Sequence, residues 1–187
     1  METVVGIPHE FKQKCEIVIN DKDSNVVMRN TIILLLAFTF PNGEASELIV
    51  HLWYSASLPA PMWHVATETV IPLIKDFVNE IKEKPDSAPF TKLWTFGISS
   101  LRLTMERKKW EILLDMVDPK SPPILALREQ SRKAAMRGPG SQYWQDIYQQ
   151  SLFRLPRFSR LVEMRYIETG VLMPFGSTST RFDTTNP

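Results

Sequence analysis

The hydrophobic pattern of this chain first becomes distinctive between residues 16 and 40. Ile17, Val18 and Ile19 form a short β-branched run next to polar residues, which predicts a buried strand over residues 16–20. Residues 32–38 are all apolar, and a helix that is apolar on every face has to be buried. The polar residues between the two runs predict a turn and a helix cap. Strand, turn and helix together predict half of a βαβ unit.

Further along the chain, helical periodicity alternates with breaks at proline and glycine. Pro72 is expected to interrupt or kink the helix that contains it, because proline removes a backbone donor. Extended segments are predicted at 93–96 and 100–105, on either side of Gly97, and Gly170 is the predicted stop of the last helix. The spacing of apolar residues predicts helices over 45–56, 62–84, 110–117, 124–137, 141–153 and 157–169.

These elements are mostly helical. About three strands among six or seven helices are few for a complete α/β domain. We therefore predict an incomplete α/β fold with a large helical portion. Residues 1–176 are expected to form a single partial domain, and residues 177–187 a polar C-terminal tail without periodicity.

The composition is that of a soluble globular protein. The 187 residues are 43% hydrophobic and 23% charged, which excludes a disordered chain. Cys15 is the single cysteine, so an internal disulfide and a multi-cysteine zinc site are excluded, and a reducing, cytoplasmic location is expected. No secretion signal is recognisable, and the apolar run 31–40 is about half of the ~20 residues that span a membrane. We expect no membrane association.

Charge is unevenly distributed although the net charge is only +1. Residues 1–118 hold 12 basic and 16 acidic side chains, whereas residues 119–168 hold 9 and 4. The basic C-terminal third suits an acidic partner or a nucleic acid. Solvated helix faces, or pairing with the acidic part, explain the same pattern. Since no nucleic-acid-binding motif accompanies the basic residues, nucleic-acid binding is the less favoured interpretation.

Asp21 and Asp23 are the candidate binding residues. They stand at the carboxyl end of the predicted strand, where open α/β sheets bind their ligands. A carboxylate there can accept hydrogen bonds from the ribose hydroxyls of a nucleotide. The alternative is local, with Asp21 closing an Asx-type turn and Asp23 capping the helix. Spacing alone favours the local alternative.

No pattern in the chain predicts catalytic residues or a metal site. The G-x-S-x-G, G-x-x-x-x-G-K-[ST] and G-x-G-x-x-G motifs are absent. His64 and Glu68 are four residues apart on a predicted helix, but the spacing suggests no third ligand. We therefore expect no catalytic residue and no metal.

Four separated segments together resemble the fungal proteins that carry the domain of unknown function 4470, which are often described as MYND-type zinc-finger proteins. The segments occur in the same order and cover almost the whole chain. They are IVINDKDSNVVMRNTIILLLAF from 17, ELIVHLWYSASLP from 47, LWTFGISSLRLTMERKKW from 93 and RYIETGVLMPFGSTSTRFDTTNP from 165.

The resemblance implies a fold and a site. The same domain occurs in the dynein axonemal assembly factor 3 family, whose fold is similar to that of class I S-adenosylmethionine-dependent methyltransferases. It therefore implies a Rossmann-like sheet and makes Asp21 and Asp23 vestigial ribose-binding candidates. The family pattern also includes a strand and a Gly-Asp loop ahead of Met1 and further elements after Pro187. We expect the chain to be truncated at both ends, and one cysteine cannot build the MYND finger.

The resemblance favours an uncharacterised intracellular protein with a non-catalytic role in interaction or assembly. Its protein partner is unknown, and self-association is expected because the strand at 16–20 lacks a neighbour. The alternative is an S-adenosylmethionine-dependent, methyltransferase-related enzyme, which would require the upstream strand and its Gly-containing loop. For the chain as given we expect no cofactor.

Overall fold

The computed structural model describes residues 13–40, 43–118, 150, 152–173, 182 and 184–186. The predicted helix at 124–137, and most of the one at 141–153, lie outside these ranges. In chain order the elements are α1 (Ser24–Thr39), α2 (Ser46–Tyr54), β1 (Ser57–Leu58), α3 (Ala60–Ile81), β2 (Pro89–Phe96), β3 (Ser99–Glu106), α4 (Arg107–Val117), α5 (Arg157–Thr169) and β4 (Thr184–Thr185).

Helix α1 supplies the centre of the core, as its apolar run predicts. The Asp23 carboxylate accepts the backbone N–H of Asn25 at 2.9 Å, which satisfies one of the donors that a helix leaves unpaired at its start. Phe38 is 37% exposed and stacks on Phe96 with 5.4 Å between ring centroids, so the last turn leaves the core towards β2. The buried residues of α1 are Met28, Thr31, Ile32, Ile33, Leu35 and Leu36.

Helix α3 continues through Pro72, so the expected interruption does not occur. Proline cannot donate to the carbonyl four residues earlier, which belongs to Glu68. Pro72 and Glu68 are both exposed, so water can reach that carbonyl. Val70 and Ile74 are fully buried on the other side of the helix, where their packing holds it together.

Strands β2 and β3 form an antiparallel hairpin, which confirms the two predicted extended segments. The turn contains Gly97 at φ +57°, a left-handed conformation that glycine adopts without steric cost. Alternation places Trp94 and Met105 in the core. The indole N–H of Trp94 donates to the Leu73 carbonyl at 2.9 Å, which fixes the hairpin on α3.

Trp110 joins α4 to the hairpin and to α3. Its side chain is fully buried, and its indole N–H donates to the Phe90 carbonyl of β2 at 3.2 Å. Its ring centroid lies 4.9 Å from that of Phe77 and 6.0 Å from that of Trp94. The helix that the sequence predicts around Trp110 is therefore confirmed, and its apolar face closes the core.

The C-terminal elements pack against β1 and the end of α2. Helix α5 ends at Gly170, whose φ of +69° confirms the predicted stop. Strand β4 pairs with β1 in antiparallel register, with Leu58 opposite Thr184. The described residues of the predicted polar tail therefore contact the rest of the fold, while the domain division at residue 176 stays a prediction.

Residues 16–20 differ most from the sequence prediction. The exposed fractions of Ile17, Val18 and Ile19 are 65%, 81% and 54%, and the segment pairs with no strand in the described part of the chain. An ion pair of 2.9 Å between Glu16 and Arg102 ties its start to β3, but no described strand forms a ladder with it. The predicted buried strand is therefore wrong.

The class of the fold agrees with the sequence at a coarse level only. Within the described residues, helices combine with two small antiparallel sheets of two strands each, which is consistent with α/β. A Rossmann-like sheet needs parallel strands joined by crossover helices. The similarity to methyltransferases stays a prediction.

Candidate functional site

Asp21 and Asp23 lie on the exposed turn that leads into α1. The Asp21 carboxylate accepts the backbone N–H of Asp23 at 2.8 Å, and the Asp23 carboxylate accepts that of Asn25 at 2.9 Å. These are the Asx-type turn and the helix cap of the local alternative. These hydrogen bonds use one oxygen of each carboxylate and do not test whether the other binds a ribose. The ribose-binding role of the two residues therefore stays a prediction.

The exposed side chains of residues 17–19 follow directly on Glu16, whose carboxylate is bound by Arg102 of β3. Arg102 lies directly opposite Leu93 in the β-ladder. Leu93 is itself 58% exposed. We call Ile17, Val18, Ile19 and Leu93 the strand-side surface. Several exposed apolar side chains in one region are typical of an interaction site.

An open groove of about 180 Å³ lies between the start of α2 and the first turns of α3. Glu44 and Glu47 line it together with a set of apolar side chains, and both glutamates are exposed. Val65 is 43% exposed. The apolar lining consists of Phe40, Ala45, Leu48, Met62 and Val65. We call this feature the acidic groove, since it combines apolar walls with carboxylates.

A buried polar cluster joins the end of α2 to residues near the C-terminus. His51 Nδ1 lies 2.9 Å from Ser55 Oγ, and the Leu172 N–H donates to the same oxygen at 3.0 Å. The Asn186 side-chain amide donates to the carbonyls of His51 at 3.1 Å and Leu52 at 2.9 Å, and also to that of Ser55. We call His51, Ser55 and Asn186 the C-terminal clasp.

A histidine next to a serine is also the arrangement of nucleophilic catalysis. Ser55 is only 4% exposed, and its oxygen is already bound by His51 and by the Leu172 N–H. Burial lowers the pKa of His51 below 6.5, and the negative charge of Glu47 opposes this shift in part. The geometry therefore suits a structural joint that holds two distant parts of the chain together.

Helix α5 is bound to the same corner of the fold. The Tyr166 hydroxyl donates to the Tyr54 carbonyl at 2.7 Å, and burial raises the pKa of Tyr166. The Ala56 N–H donates to the Gly170 carbonyl at 2.6 Å. The end of α2 thus receives contacts from α5 and from Asn186, so this corner depends on chain segments more than 100 residues apart.

Arg107 organises a second polar cluster at the start of α4. Its guanidinium donates to the carboxylates of Asp86 and Glu111 and, at 3.1 Å, to the Lys82 carbonyl. The hydrogen bond from Arg107 lowers the pKa of Asp86, and the bond to Asp86 raises the pKa of Arg107. The cluster ties the loop after α3 to α4.

The described residues hold no group of three potential metal ligands, and none of their helices has the length and apolarity to cross a membrane. His64 Nε2 and Glu68 form an exposed pair at 3.1 Å, as their spacing predicts. Sequence analysis did not identify the clasp or the acidic groove. His51 and Asn186 are 135 residues apart, so no local pattern relates them.

The family model described as "Domain of unknown function (DUF4470)" matches residues 1–58. The matched stretch includes residues 16–20, Asp21, Asp23, α1 and α2. No curated protein and no solved structure matches the chain. The N-terminal part of this chain is therefore similar to a family whose function is not known, which confirms the resemblance to that domain over residues 1–58. The fungal origin, the MYND association and the truncation stay predictions.

Proposed function

We propose that this chain is a non-catalytic interaction module that binds an extended segment of a protein partner along residues 16–20. The observation that carries the proposal is the exposure of Ile17, Val18 and Ile19, at 65%, 81% and 54%, in a backbone without a described ladder neighbour. An unpaired β-branched segment presents both backbone hydrogen-bonding groups and apolar side chains. Strand addition satisfies both at once.

The free energies of side-chain burial and of association indicate what such a partner has to provide. Complete burial of three Val or Ile side chains contributes roughly 4 to 9 kcal/mol. Association itself costs at least about 4 kcal/mol, while a micromolar dissociation constant corresponds to about 8 kcal/mol. The side chains alone therefore do not give micromolar affinity. The partner has to add main-chain hydrogen bonds, which favours an extended, alternating apolar segment over a flat surface.

We also propose that this module is located in a reducing, cytoplasmic compartment. The support is the exposed and free thiol of Cys15, two residues before Ile17. An exposed free thiol persists where the surroundings keep it reduced.

The test combines capture with a measurement on the segment itself. The parent chain and the variants Val18→Asp and Val50→Asp are used as bait, since Val50 is an exposed valine of α2, away from residues 16–20 and the hairpin. Val18→Asp should lose a partner that the parent and Val50→Asp retain. Hydrogen exchange with that purified partner should then slow at the amides of 17–19. Unchanged exchange at these amides would overturn strand addition.

The methyltransferase-related alternative makes a separate prediction at Asp21. One carboxylate offers roughly 1.5 to 3 kcal/mol of hydrogen bonding to a ligand, against about 8 kcal/mol for micromolar binding. We therefore expect no useful affinity of this chain for S-adenosylmethionine. Calorimetric titration is the measurement, with Asp21→Ala as control. A micromolar signal that vanishes in the variant would place the enzyme alternative first.

A further inference from the structure

One face of α5 combines two exposed apolar side chains with two cations. Arg157, Leu161, Met164 and Arg165 follow one another at spacings that place them on the same side of a helix. Leu161 is 44% exposed and Met164 is 52% exposed. Arg157 is exposed as well, and Arg165 is half-buried. The face therefore presents an apolar centre with positive charge at both ends.

The acidic groove has the opposite arrangement. Its walls are apolar, and its charged side chains are Glu44 and Glu47. Carboxylates near a helix start also have a local explanation, since they offset the positive end of the helix dipole of α2. That explanation does not extend to Met62 and Val65, which belong to α3 and leave apolar surface open beside the carboxylates.

The size of the groove matches a single apolar side chain. A volume of about 180 Å³ is slightly larger than the roughly 150 Å³ apolar cavity that holds one benzene molecule in another protein. Leu161 or Met164 can therefore occupy it while Arg157 and Arg165 reach the glutamates. Charge and size thus both indicate that the face of α5 fits the acidic groove.

The two surfaces of one molecule are at opposite ends of α2. Tyr166 holds α5 at Tyr54, the last residue of α2, whereas Glu44 and Glu47 lie at the beginning of that helix. Nine residues of helix separate these ends by about 13 Å. Leu161 and Met164 are both exposed, so this face of α5 is available to the groove of another molecule.

We propose that the chain associates head to tail with a second copy, the face of α5 on one copy occupying the acidic groove of the next. The division of charge along the chain supports a second copy as the occupant, with excess acid in residues 1–118 and excess base in 119–168. Because the contact joins two different surfaces, it is heterologous and builds rings or open chains. It uses none of the strand-side surface, so it goes beyond the function proposed above.

Sedimentation velocity over a range of concentrations tests this contact. All proteins carry Val18→Asp, so that pairing through residues 16–20 does not contribute. We expect concentration-dependent assembly that weakens with added salt, since salt screens exposed charges. The double variants Glu44→Lys/Glu47→Lys and Arg157→Glu/Arg165→Glu should each weaken association by roughly tenfold or more. Glu80→Lys/Glu83→Lys, with the same charge change at exposed sites outside the groove, should not.

The decisive sample is an equimolar mixture of the two charge-reversed proteins. The reversed groove of one then faces the reversed helix of the other, and association should return. The proposal is overturned if this mixture stays monomeric. It is also overturned if the protein that carries Val18→Asp alone is monomeric at every concentration. If the Arg157→Glu/Arg165→Glu protein melts early, Leu161→Ser replaces it, and unchanged association of that variant also overturns the proposal.

Discussion

Two apolar runs lie close together in this chain, and only one of them is buried. Ile32, Leu35 and Leu36 of α1 are fully buried, whereas Val18, in the run before it, is 81% exposed. Hydrophobicity is similar in both runs, so it does not decide the outcome. A helix satisfies its own backbone and needs only side-chain contacts. A strand also needs a neighbouring strand for its backbone groups, which the described residues do not supply to 16–20.

The short strand β1 sharpens this comparison. It has only two residues, Ser57 and Leu58, with much less β-branched character than Ile17-Val18-Ile19. It is nevertheless paired, because Thr184 and Thr185 lie beside it, and Leu58 is fully buried. The presence of a neighbouring segment, rather than the β-propensity of the residues, distinguishes the paired strand from the unpaired one.

The largest expected effect is at the centre of the buried run. Leu35→Asp would place a carboxylate without a partner at a fully buried position, and the free energy of unfolding should fall by about 3 kcal/mol or more. Chemical denaturation measures the loss. Ala37→Asp adds the same charge at an exposed position of α1 and should cost less than about 1 kcal/mol. Equal losses in the two variants would mean that α1 is not the centre of the core.

A second prediction concerns the segment that β1 depends on. Asn186→Ala removes a donor from the carbonyls of His51, Leu52 and Ser55. The His51 carbonyl keeps the Ser55 N–H, but a buried acceptor left unsatisfied at Leu52 or Ser55 costs about 1 to 3 kcal/mol. Urea denaturation should show this loss. Asn79→Ala, at an exposed position of α3, is the control and should be nearly neutral. A neutral Asn186→Ala would show that the C-terminal segment contributes nothing to β1.

The clasp should also make stability depend on pH. Burial lowers the pKa of His51 below 6.5, so between the lowered pKa and about 6.5 the unfolded chain binds more protons than the folded chain. Stability is therefore fully present above that window and is lost as the pH falls through it. Urea denaturation between about pH 5 and 8 measures the slope. His51→Gln should flatten this slope, and an unchanged slope in that variant would contradict the assignment to His51.

The smallest effect on stability is expected in the exposed run. Val18→Asp should change the free energy of unfolding by no more than about 0.5 kcal/mol, because the side chain is already 81% exposed. Thermal and urea denaturation of the monomer provide the test, with Thr95→Asp as the exposed control. A loss comparable to that of Leu35→Asp would mean that residues 16–20 are buried after all, and the contrast between the two runs would disappear.

Sequence analysis succeeded where a local pattern was sufficient. It predicted α1 with a cap among the polar residues before it, the hairpin around Gly97, the helix around Trp110 and the stop at Gly170. Each of these depends on residues within a few positions of one another. It also anticipated the local roles of Asp21 and Asp23 as one of two alternatives. The other alternative, a ribose-binding site, depends on sheet neighbours and therefore could not be judged from spacing.

Within the described residues, the sequence by itself determined which segments are helical and which apolar side chains favour burial, because periodicity and capping are properties of neighbouring residues. Only the tertiary structure decided that Val18 is exposed, that Pro72 lies within a continuous helix, and that Asn186 reaches the end of α2. These outcomes depend on which distant segment lies beside a given residue. Burial and hydrogen bonding depend on a residue together with the segment that packs against it, so the residue's own identity does not specify them.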